Sequence, residues 1–263
     1  MDEEQATATL IESNEEWRKI LIDGHRPMLF MRSVFRHLPS APRCKVCSNP
    51  FGGLGGKAVG LFGFKRSRKN PNVCSACCDN LPPGGAEVDI AVLFADLRGS
   101  TTTGASINAT AFARLMNRFY GTATEVLLKH DALIDKLIGD EVMALFIPGV
   151  AGPRYRQRAC DAGMSLLKAI GAEGGREPWL PLGIAVHAGT AYVGNVGAGG
   201  VVDFTALGDT INTAARLQSV AAPGELVLSE EAYGSASGLP EGERRTVPIR
   251  GKSETMKIRV VRR

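Results

Sequence analysis

The stretch Leu133-Ile134-Asp135-Lys136-Leu137-Ile138-Gly139-Asp140-Glu141-Val142-Met143-Ala144-Leu145-Phe146 decides how the chain folds. Two apolar runs of strand-forming residues flank a polar tip, and Gly139-Asp140 supplies a tight turn, so the stretch predicts a β-hairpin. It puts a cation, Lys136, and a carboxylate, Asp140, at one tip. Hairpin tips are commonly polar because they are wet, so the surroundings must separate a structural from a chemical reading.

Upstream, Val88-Asp89-Ile90-Ala91-Val92-Leu93-Phe94-Ala95 is a near-continuous apolar run, hence a buried strand, and it ends on Asp96. A carboxylate there is costly unless it is paired or coordinates a cation. Leu97-Arg98-Gly99-Ser100-Thr101-Thr102 follows as a Gly/Ser/Thr turn whose amides can cradle phosphate oxygens or simply cap a helix. That helix is expected over about 108–129.

Downstream, a helix is expected over roughly 154–170, with Cys160 as a small core residue. Leu182 to His187 reads as a strand, and Gly189 to Gly194 as its partner after a turn. His187 is a possible acid or base, but a lone strand histidine is more simply a core residue. Gly208 opens a helix on which Asn212 and Arg216, four residues apart, share a face suited to an anion that gains charge. Thr246 to Lys252 and Met256 to Val261 read as closing strands around a basic turn.

The 263 residues, 44% hydrophobic and 22% charged, suit one large domain plus a small one. The acidic start Met-Asp-Glu-Glu-Gln and the lack of a long apolar run predict a cytoplasmic protein with no membrane segment. The net charge of +4 is N-terminal: residues 1–83 hold 12 Lys+Arg against 8 Asp+Glu.

In that part, two helices are expected. The first, within 3–23, has Leu10, Ile11, Trp17, Ile20 and Leu21 on its apolar face; the second, from Pro27, buries Phe30, Met31, Val34, Phe35 and Leu38. Cys44-x-x-Cys47 and Cys74-x-x-Cys77, 26 residues apart, then form two knuckles that could enclose one tetrahedral ion. Zinc is the first expectation; an iron–sulfur centre or a redox dithiol fits four thiolates as well, and Cys78 is a spare thiol. The run Lys65-Arg66-Ser67-Arg68-Lys69 lacks an interleaved aromatic platform and reads as a solvated face rather than a nucleic-acid site. Leu81-Pro82-Pro83-Gly84-Gly85 marks a boundary. The expected organisation is a helical segment over 1–40, a four-cysteine knuckle and linker over 41–83, and the main domain over 84–263.

Four ordered motifs carry a family resemblance over about residues 86–262. These are Phe94 to Thr101, Lys136-x-x-Gly139-Asp140-Glu141, Gly183-Ile184-x-x-His187-x-Gly189 and Gly208-Asp209-x-x-Asn212-x-x-x-Arg216. Together they resemble class III nucleotidyl cyclases. The resemblance implies a ferredoxin-like α+β domain acting as a head-to-tail homodimer with two interfacial sites. Asp96 and Asp140, with the Leu97 carbonyl, match the ligands of two Mg²⁺ or Mn²⁺ ions. Asn212 and Arg216 match residues that position the ribose and stabilise the pentavalent phosphorus, Gly99, Ser100 and Thr101 line the phosphates, and Lys252 matches a pyrophosphate-binding residue.

Lys136 matches the adenine-recognising lysine, while its usual aspartate partner is replaced by Thr205, as in a subgroup that includes bicarbonate-responsive adenylate cyclases. A hydroxyl both donates and accepts, so it selects the base less firmly than a carboxylate. The resemblance therefore implies conversion of ATP to cyclic AMP and pyrophosphate. A cyclase for GTP or a pyrimidine nucleotide, or an inactive cyclase-fold scaffold, is the alternative.

Overall fold

A computed structural model describes residues 15–24, 26–38, 42–67, 73–80, 84–100, 104, 107–171, 178–198, 201–249 and 255–262. The chain forms two compact units: one holds 1–88, 148–152 and 192–207, the other 89–147, 153–191 and 208–263.

The second unit is an α+β fold built on a mixed sheet. Strand β1 (Gly85–Leu97) enters it from the first unit, and Ile90 to Ala95 are buried on both faces, as a continuous apolar run requires. The hairpin follows as β2 (Leu133–Ile138) and β3 (Glu141–Phe146), turning at Gly139, whose φ of 61° suits glycine. β3 pairs antiparallel with β1, setting Glu141 opposite Asp96.

Strand β4 (Leu182–Ala198) pairs with β5 (Val201–Leu207), and the closing strands are β6 (Glu225–Ser229), β7 (Glu243–Pro248) and β8 (Thr255–Arg262). The strand order is β2-β3-β1-β4-β6-β8-β7, with β5 attached to β4. β4 and β6 are parallel, so the chain between them must cross over, and it does so through a helix.

The expected turn between His187 and Gly189 is absent: β4 runs through it as one strand. Gly189 serves close approach instead of chain reversal. A Cβ there would lie 2.9 Å from Thr210 Oγ1, which donates to the Thr190 carbonyl at 2.5 Å. His187 is buried within this strand.

The first unit contains helix α1, residues 15–23, then α2 (Arg26–Phe35), α3 (Gly53–Gly60) and α4 (Ser75–Asn80). Trp17 is fully buried on α1 and stacks on Phe204 of β5 at 5.8 Å. The apolar face expected of α2 is corrected. Phe30 and Val34 are exposed, and Arg32 is buried beside Phe35. The cause is polar: Arg32 donates to the Val46 carbonyl at 2.9 Å, which turns the helix toward the first cysteine knuckle. Leu10 and Ile11 lie outside the described residues.

Helices α5 (Ala109–Lys129) and α6 (Tyr155–Ala169) also belong to the second unit. Asn108 caps α5 through the Ala111 amide at 2.8 Å, an interaction worth about 1 kcal/mol. Met116, Phe119, Ala123 and Leu127 bury its apolar stripe. On α6, Cys160 is a core residue whose thiol burial pushes up to about 12. The crossover helix is α7 (Asp209–Ser219). No described helix is long and apolar enough to cross a membrane.

Candidate active site and cysteine centre

The end of β1 and the hairpin tip are joined by the backbone. The Leu97 amide donates to the Asp140 carbonyl at 3.3 Å, and the Asp96–Glu141 register continues the strand pair up to that point. Asp96, Leu97 and Asp140 thus stand together. Burial raises the Asp96 carboxyl, and its contact with Asp140 raises it further, against lowering by the Gln218 side chain and Arg98. Glu141 is raised by burial and then by the same two aspartates. Asp96 and Glu141 are thus both held back from ionising where they crowd Asp140 at one strand end, which a cation would relieve. Their hard oxygens fit Mg²⁺ or Mn²⁺.

Arg98 buttresses this group. Its amide bonds the Pro181 carbonyl at 2.7 Å, its guanidinium bonds the Gln218 carbonyl and lies 3.8 Å from Asp96. Gly183 leaves room for it, since a Cβ there would come within 2.4 Å of Arg98 Nε. On the other side, the Tyr120 hydroxyl of α5 donates to the Gly139 carbonyl at 2.5 Å and holds the tip. Arg98, Tyr120, Glu141 and Gln218 drew no role from sequence. Only Arg98 and Glu141 lay inside quoted motifs.

Lys136 owes its aim to a bulge. The β2–β3 register steps from Ile134–Ala144 to Lys136–Met143, leaving Asp135 as the extra residue. Such bulges twist a strand and redirect a side chain. Asp135 is buried, and its carboxylate lies 3.6 Å from Lys136 Nζ. An acid interrupting the apolar Leu133-Ile134 run was the available signal.

Helix α7 starts at Gly208, whose φ of 126° favours glycine. Asn212 is exposed and Arg216 half-buried, one helical turn apart. Buried Gln218, near the helix end, lies beside Asp96 and lowers its carboxyl. Thr205 belongs to the first unit, buried on β5 opposite Gly194. Gly99 is an exposed turn residue with φ 72°, and Ser100 follows it. Thr101 and Lys252 lie outside the described residues.

In the first unit, Cys44, Cys47, Cys74 and Cys77 are all buried and free of disulfides, and their sulfurs lie within 4.8 Å of one another. The first pair sits on a tight turn and the second at the start of α4. Ser48, with φ 60°, closes the first, where the Cys44 amide bonds the Asn49 carbonyl at 2.8 Å. The Cys74 amide donates to Cys44 Sγ at 3.2 Å, and the Cys77 amide to Cys74 Sγ at 3.4 Å. Burial opposes ionisation of Cys44, but hydrogen bonds from the other three thiols outweigh it and hold its thiol well below the usual range. Hydrogen bonding with Cys44 pushes Cys47 and Cys77 up. The side chain of Cys78 lies outside the described residues. Of the basic run, Arg66 covers the Phe51 ring at 5.0 Å. Arg68 and Lys69 lie outside the described residues.

The family described as the adenylate and guanylate cyclase catalytic domain matches residues 86–261. The uncharacterized protein Rv1319c of Mycobacterium tuberculosis is 33% identical over 186 residues, 67% of this chain and 34% of that protein. Rv1318c of the same organism is 32% identical over 183 residues, 66% of this chain and 33% of that protein. The chain spans about a third of the length of these curated relatives. Among solved structures, the guanylyl cyclase Cya2 aligns with a TM-score of 0.62 and 26% identity, over 68% of this chain and 93% of that one. The adenylyl cyclase CyaB from P. aeruginosa aligns with a TM-score of 0.61 and 28% identity, over 66% and 94%.

Proposed function

The chain belongs to the adenylate and guanylate cyclase catalytic-domain family, and on that premise we propose that it converts ATP to 3′,5′-cyclic AMP and pyrophosphate as a head-to-tail homodimer. The carrying observation is the carboxylate cluster of Asp96 and Asp140 at the β1–hairpin junction, with Lys136 on the same hairpin.

In the reaction, the ribose 3′-oxygen forms a bond to the α-phosphorus, the bond from that phosphorus to the β-phosphate oxygen breaks, and pyrophosphate departs. Bound Mg²⁺ or Mn²⁺ would lower the hydroxyl's pKa and offset triphosphate charge. Asp96, Asp140 and the Leu97 carbonyl would hold the cations. Asn212 orients the ribose, and Arg216 stabilises charge that accumulates on the phosphoryl oxygens. Gly99, Ser100 and Thr101 present amides to the phosphates, and Lys252 holds the departing pyrophosphate.

Lys136 donates to the adenine ring and Thr205 accepts from its amino group, which favours ATP over GTP in the manner of the threonine-containing, bicarbonate-responsive subgroup. Each hairpin serves two sites: Asp140 acts in one, and Lys136, Thr205, Asn212 and Arg216 in the other. A monomer is therefore nearly inactive.

We assign residues 84–263 to the catalytic domain, preceded by a helical segment and a cysteine module, and place the reaction in the cytoplasm, where ATP and free thiols coexist. Incubating the chain with ATP, GTP, CTP and UTP in Mg²⁺ and Mn²⁺, with products identified by mass, tests the assignment. Cyclic AMP as the main product supports it. A dominant cyclic GMP or pyrimidine product reassigns the base, and no cyclic product removes the catalytic reading.

A further inference from the structure

We propose that Cys44, Cys47, Cys74 and Cys77 bind one Zn²⁺, and that this centre fixes the strand carrying Thr205 through Lys45 and so tunes nucleotide binding. The second half of this inference rests on the catalytic reading of Thr205; the metal site does not.

The sulfur geometry selects a single ion. Tetrahedral Zn–S bonds of about 2.3 Å put sulfurs about 3.8 Å apart, and Cys47 and Cys74 already stand 3.6 Å apart. A cluster of bridged irons would spread its ligands beyond the 4.8 Å within which all four sulfurs fall. The backbone amides of Cys74 and Cys77 point at neighbouring sulfurs, as donors to thiolates do.

Among its described residues the module has only a small apolar core, with Val59 and Val73 buried and Phe64 packed on Phe35. Between the knuckles, Leu54, Leu61 and Phe62 are each at least 80% exposed. So small a core in a short Gly-rich segment gains from a cross-link, and four buried free thiols supply the ligands for one.

The first knuckle reaches directly to β5. Lys45, between Cys44 and Cys47, bonds the Asp203 carboxylate at 3.1 Å and the Phe204 carbonyl at 3.4 Å, with its side chain only 10% exposed. Arg32 grips the same knuckle through the Val46 carbonyl. Phe204 is held from its ring by Trp17. The two residues immediately before Thr205 are thus clamped by the cysteine module and α1. Thiolate ligation fixes the backbone on both sides of Lys45, so loss of the ion frees the ammonium that positions Asp203 and Phe204.

The test uses the full chain in a Trp179→Phe background, which leaves Trp17 as the sole indole, prepared under reductant. Elemental analysis should give about one zinc per chain, lost in Cys47→Ser. Stripping zinc should shift Trp17 emission to the red as the Phe204 stack loosens. Lys45→Met should keep its zinc and raise KM for ATP about three- to tenfold with little change in kcat, the range for one lost positioning contact.

Visible iron–sulfur absorbance or metal-free wild type would overturn the zinc assignment. Zinc removal that leaves Trp17 emission unchanged, or a Lys45→Met enzyme with wild-type KM, would overturn the link to β5. A zinc-dependent Trp17 signal in a chain that cyclises no nucleotide would support the metal centre and its reach, and count against the catalytic reading alone.

Discussion

The Leu97 amide donates to the Asp140 carbonyl at 3.3 Å. This backbone bond fixes two carboxylate-bearing positions, Asp96 and Asp140, that are 44 residues apart in sequence. Their proximity does not depend on the flexible side chains themselves. The proposed cation site is therefore preformed by strand pairing, and the hairpin tip is a structural part of it.

The two aspartates and the α7 residues are predicted to act in trans. Asp96→Ala and Arg216→Ala homodimers should each lose at least about a hundredfold in Mn²⁺-dependent cyclisation, the scale for losing a residue that stabilises transition-state charge. Mixing the two chains should recover activity, because a heterodimer contains one intact composite site. A verified heterodimer without recovery would rule out shared sites.

Base choice is predicted to be soft. Thr205→Asp should raise the ATP-over-GTP ratio of kcat/KM by about tenfold, since a carboxylate accepts from the adenine amino group and repels the guanine carbonyl. Lys136→Glu should lower that ratio. Competition kinetics with both nucleotides in one vessel reads the change directly, and an unaltered ratio in both variants would remove these residues from base recognition.

Acid sensitivity is predicted to come from Glu225. Burial pushes its carboxyl up, but the Ala222 amide at 3.0 Å and the Arg245 and Arg262 guanidiniums outweigh this and hold it below the usual range. The folded state then binds fewer protons than the unfolded chain just below the ordinary glutamate pKa of about 4.3. Its stabilisation is complete above that pH and is lost as pH falls toward the folded value. Glu225→Gln should cost about 1–2 kcal/mol at neutral pH and flatten the acid limb of urea midpoints against pH. An acid limb as steep as the wild type's would assign the sensitivity elsewhere.

Much of the second unit was legible because its signals are local. The buried run ending at Asp96 and the Gly139-Asp140 turn each specify an element without distant help, as does the Asn212/Arg216 spacing. The misreadings have tertiary causes. Gly189 looks like a turn residue in sequence, but its missing Cβ makes room for Thr210. The α2 face was wrong because Arg32 bonds a knuckle carbonyl that no helical periodicity reveals. Tyr120 and Gln218 come to the site from helix positions outside every motif, so neither spacing nor residue type marked them. Asp135 drew no reading although it interrupts an apolar strand, because the bulge that buries it emerges only from strand pairing.

The most direct test of the central claim is product analysis of wild type and Asp140→Asn with ATP and Mn²⁺ under single-turnover conditions. Metal-assisted cyclisation at this site should give 3′,5′-cyclic AMP and pyrophosphate in equal amounts from wild type, and a rate lower by at least about a hundredfold in the variant. Cyclisation by Asp140→Asn at the wild-type rate would contradict it.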